Sequence, residues 1–233
     1  MILSNTETEK KLDPCEAMPE IFNALSNEQL RILTTNRFEV RFKAGETIFK
    51  QGSALTHIIY LKEGKAKILL EDSNGQTILL KILKQPDMIG GPGFHTDYRH
   101  HFSVVAMEDT TACMIDVNLF KNFILSNPQF GLDMIAFLNH GFINLYDKLR
   151  GLTNKHMSGR IADTLIYLAD EVYNNAEFTT PLSRIDIANM SAMTKESAIR
   201  TLKAFKEGGI IDCKGDYIKI LKKDTLINIS KKG

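Results

Sequence analysis

Residues 182–206 constrain the fold more than any other stretch of the chain, because they hold two helix-start signals a short distance apart. Ser183 stands three residues before Asp186, which is the spacing of a capping box at a helix N-terminus. Thr194 is a second N-cap and precedes an apolar stripe at helical spacing. The members of that stripe are Ala198, Leu202 and Phe205. The stretch predicts two short helices joined by a tight turn over residues 191–193.

The second predicted helix has a polar face that suits the major groove of DNA. Arg200 can donate two parallel hydrogen bonds to guanine, and Glu196 can accept one from cytosine. A helix that docks by its N-terminal end presents its early residues to the base edges. The residues predicted to contact DNA are Thr194, Lys195, Glu196, Ser197, Ile199, Arg200 and Lys203. The alternative explanation of these charges is an ordinary solvated helix face with one ion pair.

Two short β runs on either side of residues 214–216 predict a wing behind the second helix. Ala192 stands in the turn where glycine is usual, and it costs about 1 kcal/mol if its φ is positive. Ser191 also stands where apolar residues are commonest in such units. The two caps and the wing together nevertheless favour a winged helix-turn-helix that binds double-stranded DNA.

Composition restricts the function without choosing it. The chain has 233 residues and a formal net charge of only +1, so any affinity for nucleic acid must come from a local basic patch. Its cysteines, Cys15, Cys113 and Cys213, are too far apart for a metal or redox motif and indicate thiols in a reducing cytoplasm. The sequence lacks a membrane-length apolar run and a secretory signal, so we expect a cytoplasmic protein without a membrane partner. The basic patch comprises Lys195, Arg200, Lys203, Lys206, Lys214, Lys219, Lys222, Lys223, Lys231 and Lys232.

The N-terminal half is rich in β signals. A polar tail and short helices near residues 18–25 and 27–34 come first. Many short strands separated by glycine turns then predict an antiparallel sandwich or barrel, and Asn74-Gly75 is a strong hairpin signal. The predicted strands are 38–42, 47–49, 57–61, 66–70, 77–83, 102–106 and 111–116.

A short helix that begins near Phe120 and ends at Pro128 leads into a long helix over about residues 129–152. The long helix carries an apolar seam in which the spacing alternates between three and four residues, as in helices that wind around each other. The seam residues are Ile135, Leu138, Phe142, Leu145, Leu149 and Leu152. The seam predicts a homodimer, whose paired reading heads would match symmetric half-sites on DNA. Packing of the helix on its own barrel is the alternative.

This order of parts resembles the CRP/FNR family of bacterial transcription regulators. The resemblance is carried by residues 44–46, 51–52, 61–64, 87–90, 158–162 and 194–197, together with Arg200. It implies an α+β fold with an N-terminal antiparallel, jelly-roll-like β-roll sensor domain, a long dimerisation helix and a C-terminal winged helix-turn-helix. The expected divisions are 1–36 for the tail and short helices, 37–127 for the β-roll effector or sensor domain, 128–153 for the dimerisation helix and 154–233 for the DNA-binding domain.

The resemblance also implies a mode of action. In the family, the residues that match Lys195, Glu196 and Arg200 contact DNA, and the proteins are cytoplasmic homodimers on palindromic promoter sites. The hinge between the sensor and DNA-binding domains would lie at residues 154–159. RNA polymerase would be a further partner if the protein is an activator, and an unidentified small molecule would be its effector.

The expected sensor site departs from the members that bind cyclic AMP. Those members carry a Gly-Glu-x-Gly turn and an Arg-Ser pair, whereas Gly91 replaces the glutamate here and the pair falls near His100 and His101. The polar residues that read adenine fall near Leu145 and Tyr146. A cyclic phosphate would lose its bidentate cation, so we expect that cyclic AMP does not bind. The predicted effector pocket comprises Gly90, Gly91, His100, His101, Leu145 and Tyr146.

The sequence gives less support for other effectors. The oxygen-sensing members need several N-terminal cysteines for an iron–sulfur cluster, and Cys15 alone cannot hold one. His95, His100 and His101 share one loop, where they would ligate haem iron in a gas sensor, ligate another metal, sense pH, or simply be solvated. An apolar ligand, or no ligand at all, are the remaining alternatives.

Two rival functions are open to the same sequence. An enzyme is not expected, because the chain lacks a GxSxG, P-loop or HExxH motif, and Pro92 removes an amide that a phosphate would need. A ligand-binding regulatory module that acts through protein contacts would use the helix-turn-helix as an ordinary docking surface.

Overall fold

The computed structural model describes residues 18–233, and the expectations for the polar tail and Cys15 lie outside this range. A short 3-10 helix, Glu20–Ala24, and α1, Asn27–Asn36, precede the β-rich part. The strands of that part are β1 Phe38–Phe42, β2 Thr47–Phe49, β3 His57–Glu63, β4 Lys65–Glu71, β5 Thr77–Lys84, β6 Met88–Ile89, β7 Ser103–Ala106 and β8 Thr110–Asp116. The elements that follow are α2 Val117–Ser126, α3 Pro128–Asn154, α4 Met157–Tyr167, β9 Glu177–Thr179, α5 Arg184–Met190, α6 Lys195–Glu207, β10 Ile211–Lys214, β11 Tyr217–Ile220 and α7 Lys223–Lys232.

The N-terminal strands form two antiparallel sheets, in the orders β1-β8-β3-β6 and β2-β7-β4-β5. This arrangement confirms the predicted antiparallel β-roll, and every strand expected from the sequence is present within a residue or two. Strand β6 escaped prediction because a two-residue strand has no measurable alternation. The predicted hairpin joins β4 to β5. Gly75 has a φ of 78°, and Asp72 Oδ1 accepts bonds from the amides of Asn74 and Gln76, both 2.8 Å long.

The 3-10 helix fastens the N-terminal segment to the roll through Phe22. The ring of Phe22 is 1% exposed, stacks on Phe130 of α3 and meets Tyr60 and Phe120 edge-on. Aromatic rings that pack in this way bury a large apolar area and gain from their ring geometry. One cluster therefore joins the N-terminal segment, the roll, α2 and the start of α3.

The break between α2 and α3 follows from local chemistry. Asn127 caps α3 by accepting a bond from the amide of Phe130, and Pro128 occupies the first helical position, where its missing amide costs nothing. The predicted long helix is confirmed, and it runs for 27 residues. Its buried side chains are those of Phe130 and Met134, which lie in its first two turns.

The C-terminal part packs α4, α5, α6 and α7 against a three-stranded sheet in the order β10-β11-β9. The wing strands β10 and β11 were predicted, whereas β9 was not. β9 pairs with β11 and thereby adds a third strand to the wing. The helix-turn-helix of the expected fold class is thus confirmed as α5 and α6, with a wing behind it.

The β-roll and the C-terminal part share one apolar core. Leu79 and Ile82 of β5 belong to the same buried cluster as Ile161, Leu165 and Ile187. Three further contacts cross this junction, of which the first two are half-buried. They are the ion pair of Lys67 with Asp186 at 2.5 Å, the bond from the amide of Ile82 to the Tyr167 hydroxyl at 3.0 Å, and the bond from Lys84 Nζ to the Glu171 carbonyl at 2.6 Å.

Over residues 18–233, the helices are all too short or too polar to cross a membrane.

Replacement of Phe22 by alanine should lower the free energy of unfolding by about 3–5 kcal/mol, because a buried ring that touches three others leaves a cavity. Urea unfolding followed by circular dichroism measures this loss. Phe38→Ala is the matched control, since the Phe38 ring is 49% exposed and its removal should cost less than about 1 kcal/mol. Equal losses for the two variants would contradict the role given to the Phe22 cluster.

Candidate DNA interface and ligand cavity

The first helix of the helix-turn-helix begins at the predicted capping box. The Ser183 hydroxyl accepts a bond from the Asp186 amide at 3.1 Å, and the Asp186 carboxylate accepts one from the Ser183 amide at 3.0 Å. Burial acts to raise the pKa of Asp186, but the hydrogen bonds from Lys67 and Ser183 outweigh it and hold the pKa below its usual value. The carboxylate therefore stays ionised, and it links the start of α5 to strand β4.

The turn between α5 and α6 contains two residues that are unusual for this motif, Ser191 and Ala192. Ala192 has a φ of 46°, the left-handed conformation in which glycine would be favoured. Ser191 is fully buried, and its hydroxyl shares a 2.8 Å hydrogen bond with that of Thr164 on α4. A polar side chain is stable at this apolar position because its hydrogen-bonding group has a partner.

Helix α6 turns the predicted DNA-contacting residues toward solvent. Thr194 caps the helix by accepting a bond from the Ser197 amide at 3.2 Å, while Ala198, Leu202 and Phe205 are buried as predicted. Thr194, Lys195, Glu196, Ile199, Arg200 and Lys203 are exposed, and Ser197 is half-buried. Within residues 18–233, neither Glu196 nor Arg200 forms an ion pair, so both side chains are available to a ligand on this face.

The wing is held at a fixed angle to the helix-turn-helix. Arg184 on α5 donates a 2.8 Å bond to the Gly215 carbonyl at the tip of the wing, where Gly215 has a φ of 61°. Part of the predicted basic patch is neutralised, because four of its lysines form ion pairs with nearby carboxylates. These pairs are Lys203 with Glu207 at 3.7 Å, Lys206 with Asp212 at 2.8 Å, Lys219 with Glu177 at 2.7 Å, and Lys223 with Asp170 at 2.5 Å.

The predicted dimer seam lies along the outer face of α3. Four of its residues leave roughly half of each side chain in solvent: Ile135 is 57% exposed, Phe142 49%, Leu145 46% and Leu149 57%. Leu138 and Leu152 are half-buried, because they line a cavity beside the helix. A row of large exposed apolar side chains of this kind marks a contact surface.

The cavity has a volume of about 760 Å³ and lies between β4, β5, α3 and α4. Of the predicted effector-pocket residues, it brings together Gly90, His101 and Leu145. The other three lie elsewhere. Gly91 is buried beside Leu55 and Phe102, His100 is stacked on Phe49, and Tyr146 is 65% exposed on α3.

The three histidines of the loop do not form one site. The His100 ring lies 3.7 Å from that of Phe49, and burial lowers the pKa of this imidazole and keeps it neutral. His101 bonds to Asp97 at 3.1 Å, and His95 bonds to the hydroxyl of Tyr98 at 3.3 Å. In the part of the chain described, no three histidine, cysteine, aspartate or glutamate side chains are grouped to hold a metal ion.

A cyclic nucleotide does not fit the groups at this site. Gly91 offers no carboxylate for a ribose hydroxyl, and the nearby Arg99 donates Nη1 to the Gly52 carbonyl at 2.9 Å. The β4–β5 side of the cavity presents aliphatic side chains, namely Ile68, Leu70, Leu80 and Leu83. At this end of the cavity a cyclic phosphate would therefore meet no bidentate cation, and the ribose would meet no carboxylate acceptor.

Sequence reasoning missed two basic residues that line the cavity. Lys148 of α3 donates a 2.6 Å bond to the Met190 carbonyl, and burial lowers its pKa to about 8. Arg160 of α4 donates a 3.0 Å bond to the Ala192 carbonyl. The sequence carries no signal for Lys148, because a lysine that flanks an a/d seam is ordinary in helices that wind around each other.

Two family models match the chain and together cover more than half of it. The model of the cyclic nucleotide-binding domain matches residues 39–127, and that of the Crp-like helix-turn-helix domain matches residues 159–229. The first match concerns the fold of the β-roll. It does not change the finding that the groups which bind a cyclic nucleotide are missing at Gly91 and at His100 and His101.

Curated relatives match along most of their length. The chain is 25% identical over 208 residues to electron transport regulator A of Shewanella oneidensis, covering 88% of this chain and 82% of the relative. It is 24% identical over 186 residues to the cAMP-activated global transcriptional regulator CRP of Escherichia coli, covering 77% of this chain and 88% of the relative. These relatives are named as regulators rather than enzymes.

Solved structures share the fold at low sequence identity. FixK2 from Bradyrhizobium japonicum superposes with a TM-score of 0.75 at 18% identity, covering 83% of this chain and 96% of that one. A CooA mutant from Carboxydothermus hydrogenoformans gives a TM-score of 0.72 at 22% identity, covering 94% and 98%. Together with the paired family models and the curated relatives, these likenesses establish that the chain belongs to the CRP/FNR family and is a DNA-binding transcription regulator.

Proposed function

We propose that this regulator acts as a homodimer that reads a twofold-symmetric promoter site and does not respond to cyclic AMP. The observation that carries the proposal is the exposed N-terminal face of α6, where Lys195, Glu196 and Arg200 have no partner among residues 18–233. Polar side chains without partners at the start of a capped, rigidly packed helix are what major-groove recognition requires.

The proposed DNA contacts divide into two kinds. Glu196 and Arg200 would contact base edges and give sequence preference, with Arg200 bidentate to a guanine. Thr194, Lys195, Ser197 and Lys203 would fix the helix on phosphates, and Ile199 would meet a thymine methyl group. The four ion pairs of the patch reduce its electrostatic contribution, but the pair of Lys203 with Glu207 is 3.7 Å long and lies in solvent, so Lys203 can exchange it for a phosphate.

The proposed dimer rests on the exposed seam of α3. Burial of Ile135, Phe142, Leu145 and Leu149 against a second copy would remove the largest row of exposed apolar side chains on this helix. Parallel pairing of two such helices gives a twofold axis. That axis would place two copies of α6 on successive turns of the major groove, which is why a palindromic site follows from the seam.

The cellular setting belongs to the same proposal. A regulator of promoters works in the cytoplasm, and RNA polymerase is its partner if it activates. The division of the chain at residues 37, 128 and 154 stays a prediction, and so does the hinge at 154–159. A module that acts through protein contacts alone is the rival, and it would make no use of Arg200 in DNA binding.

Arg200→Ala should weaken binding to a duplex that the wild-type protein has selected by about 1–3 kcal/mol and relax preference at one base pair. Lys203→Ala should instead reduce the slope of log affinity against log salt by about one without changing base preference. Fluorescence anisotropy titrations on the selected duplex and on single-base variants measure both effects. Arg150→Ala on α3 is the control and should bind like wild type. Wild-type affinity and preference in Arg200→Ala would favour the protein-contact module.

Leu149→Glu should convert the dimer to a monomer, because it places a charge in the middle of an apolar contact. Sedimentation equilibrium measures the change directly. Leu125→Glu is the matched control, since Leu125 is 72% exposed on α2 and lies outside the seam. A Leu149→Glu variant that stays dimeric would show that the dimer does not form through this seam.

Titration calorimetry with cyclic AMP should give no saturable heat, because the Gly91 end of the pocket lacks the carboxylate for the ribose and the bidentate cation for the phosphate. The Escherichia coli relative named above serves as the positive control. Saturable binding of cyclic AMP to the present protein would contradict the assignment.

A further inference from the structure

Lys148 and Arg160 reach the cavity beside α3 with only neutral acceptors. The Lys148 ammonium bonds to the Met190 carbonyl, and the Arg160 guanidinium bonds through Nη1 to the Ala192 carbonyl. Arg160 Nε is buried and has no hydrogen-bond partner. Neither side chain forms an ion pair with a carboxylate of residues 18–233. Two half-buried cations whose hydrogen bonds go only to carbonyl groups leave donors for an anion at this end of the cavity.

The acidic residues that line the same cavity are engaged elsewhere or lie in solvent. Asp163 binds Lys155 at 2.8 Å, Asp147 binds Arg150 at 3.0 Å, and Asp87 binds Lys81 at 3.4 Å. Glu171 is exposed, so water screens its charge. Asp163 acts on Lys148 by charge, but its hydrogen bonds go to Lys155 and Ser230, so the donors of Lys148 and Arg160 do not reach a carboxylate of residues 18–233.

The rest of the cavity is apolar. Strands β4 and β5 contribute Ile68, Leu80 and Leu83, and α3 contributes Leu138 and Phe142. Leu138 precedes Lys148 by ten residues, so the apolar part extends roughly 15 Å along the helix from the cations. A volume of about 760 Å³ lies in the range of small-molecule sites. The shape suits a ligand with an apolar body and one charged end.

We propose that this cavity binds a small organic acid, with its carboxylate on Lys148 and Arg160 and its aliphatic or aromatic body against the β4–β5 wall. The inference rests on the proposed function, because such an acid would be the effector of the regulator. It assigns the anion to the end of the cavity next to the helix-turn-helix, away from the Gly91 turn. The partner's α3 would close the open side of the cavity in the proposed dimer.

Binding at this end has a direct consequence for the DNA-binding unit. Met190 ends α5 and Ala192 forms the turn, so the two cations now hold the helix-turn-helix through its carbonyl groups. A carboxylate that takes up the same ammonium and guanidinium would compete with those bonds. Ligand occupancy would then change how firmly the helix-turn-helix is held against α3 and α4.

The test uses calorimetry on the full-length protein with two acids and their neutral counterparts. Decanoate and naphthoate are the acids, and in decanol and naphthylmethanol a neutral hydroxymethyl group replaces the carboxylate. We expect at least one acid to bind once per chain, about tenfold or more tightly than its alcohol. Equal affinity of acid and alcohol, or no binding of either acid, would overturn the inference.

Variants test the role of the cations. Lys148→Met keeps the apolar stem and should lose the preference for acid over alcohol, while Lys148→Arg should keep it. Arg160→Met is the second variant and should lose the preference even if Lys148→Met fails to fold. Lys121→Met, outside the cavity, is the matched control. A preference that survives both Lys148→Met and Arg160→Met would overturn the assignment of the anion site.

The outcomes separate this inference from the proposed function. Selection of a symmetric duplex by a protein that binds neither acid would overturn the inference and leave the DNA-binding proposal intact. Charge-dependent acid binding by a protein that selects no duplex would support the cavity assignment and contradict the proposed reading of promoter sites.

Discussion

The packing of the helix-turn-helix on the β4–β5 hairpin is the interaction on which the rest of the structure depends. Leu79 and Ile82 of this hairpin lie in the C-terminal core, whereas Ile68 and Leu80 line the cavity. Leu79 and Ile82 are three residues apart, and a register shift that leaves Leu80 without a partner interrupts the usual alternation between them. A single layer of backbone therefore separates a ligand from the DNA-binding unit. The ion pair of Lys67 with Asp186 adds an electrostatic contact at the same junction.

One apolar stripe of helix α3 contributes both to the seam proposed for the dimer and to the wall of the cavity. Phe142 and Leu145 belong to the seam proposed for the dimer, and they also line the cavity. A ligand in the cavity and a second copy of the chain would therefore touch the same side chains. In a family of regulators whose DNA sites are read by paired helices, this sharing offers a physical route by which a ligand could affect the spacing of the two reading heads. The route needs only a small rotation of α3 or of the helix-turn-helix.

The parts of this account that could be predicted from the sequence are those set by local chemistry. The capping box at Ser183, the cap at Thr194 and the hairpin at Gly75 depend on residues within a few positions of one another, and each was predicted correctly. The effector pocket was predicted only in part, since three of its six predicted residues line the cavity. Resemblance to a family cannot show that the His100 ring stacks on Phe49. Lys67 pairs with a residue 119 positions away, and Lys148 and Arg160 bond to carbonyls 42 and 32 positions away. Such contacts arise only from the tertiary packing, so no spacing in the sequence reveals them.

The most direct test of the central claim is selection of bound duplexes from a random DNA pool by the purified full-length protein, with and without added organic acid. The account predicts recovery of a site with twofold symmetry in at least one of these conditions, with guanine or cytosine at the positions that face Arg200 and Glu196. Recovery of no enriched sequence, or of a site without symmetry, in both conditions would contradict the proposal that a homodimer of this chain reads promoters through α6.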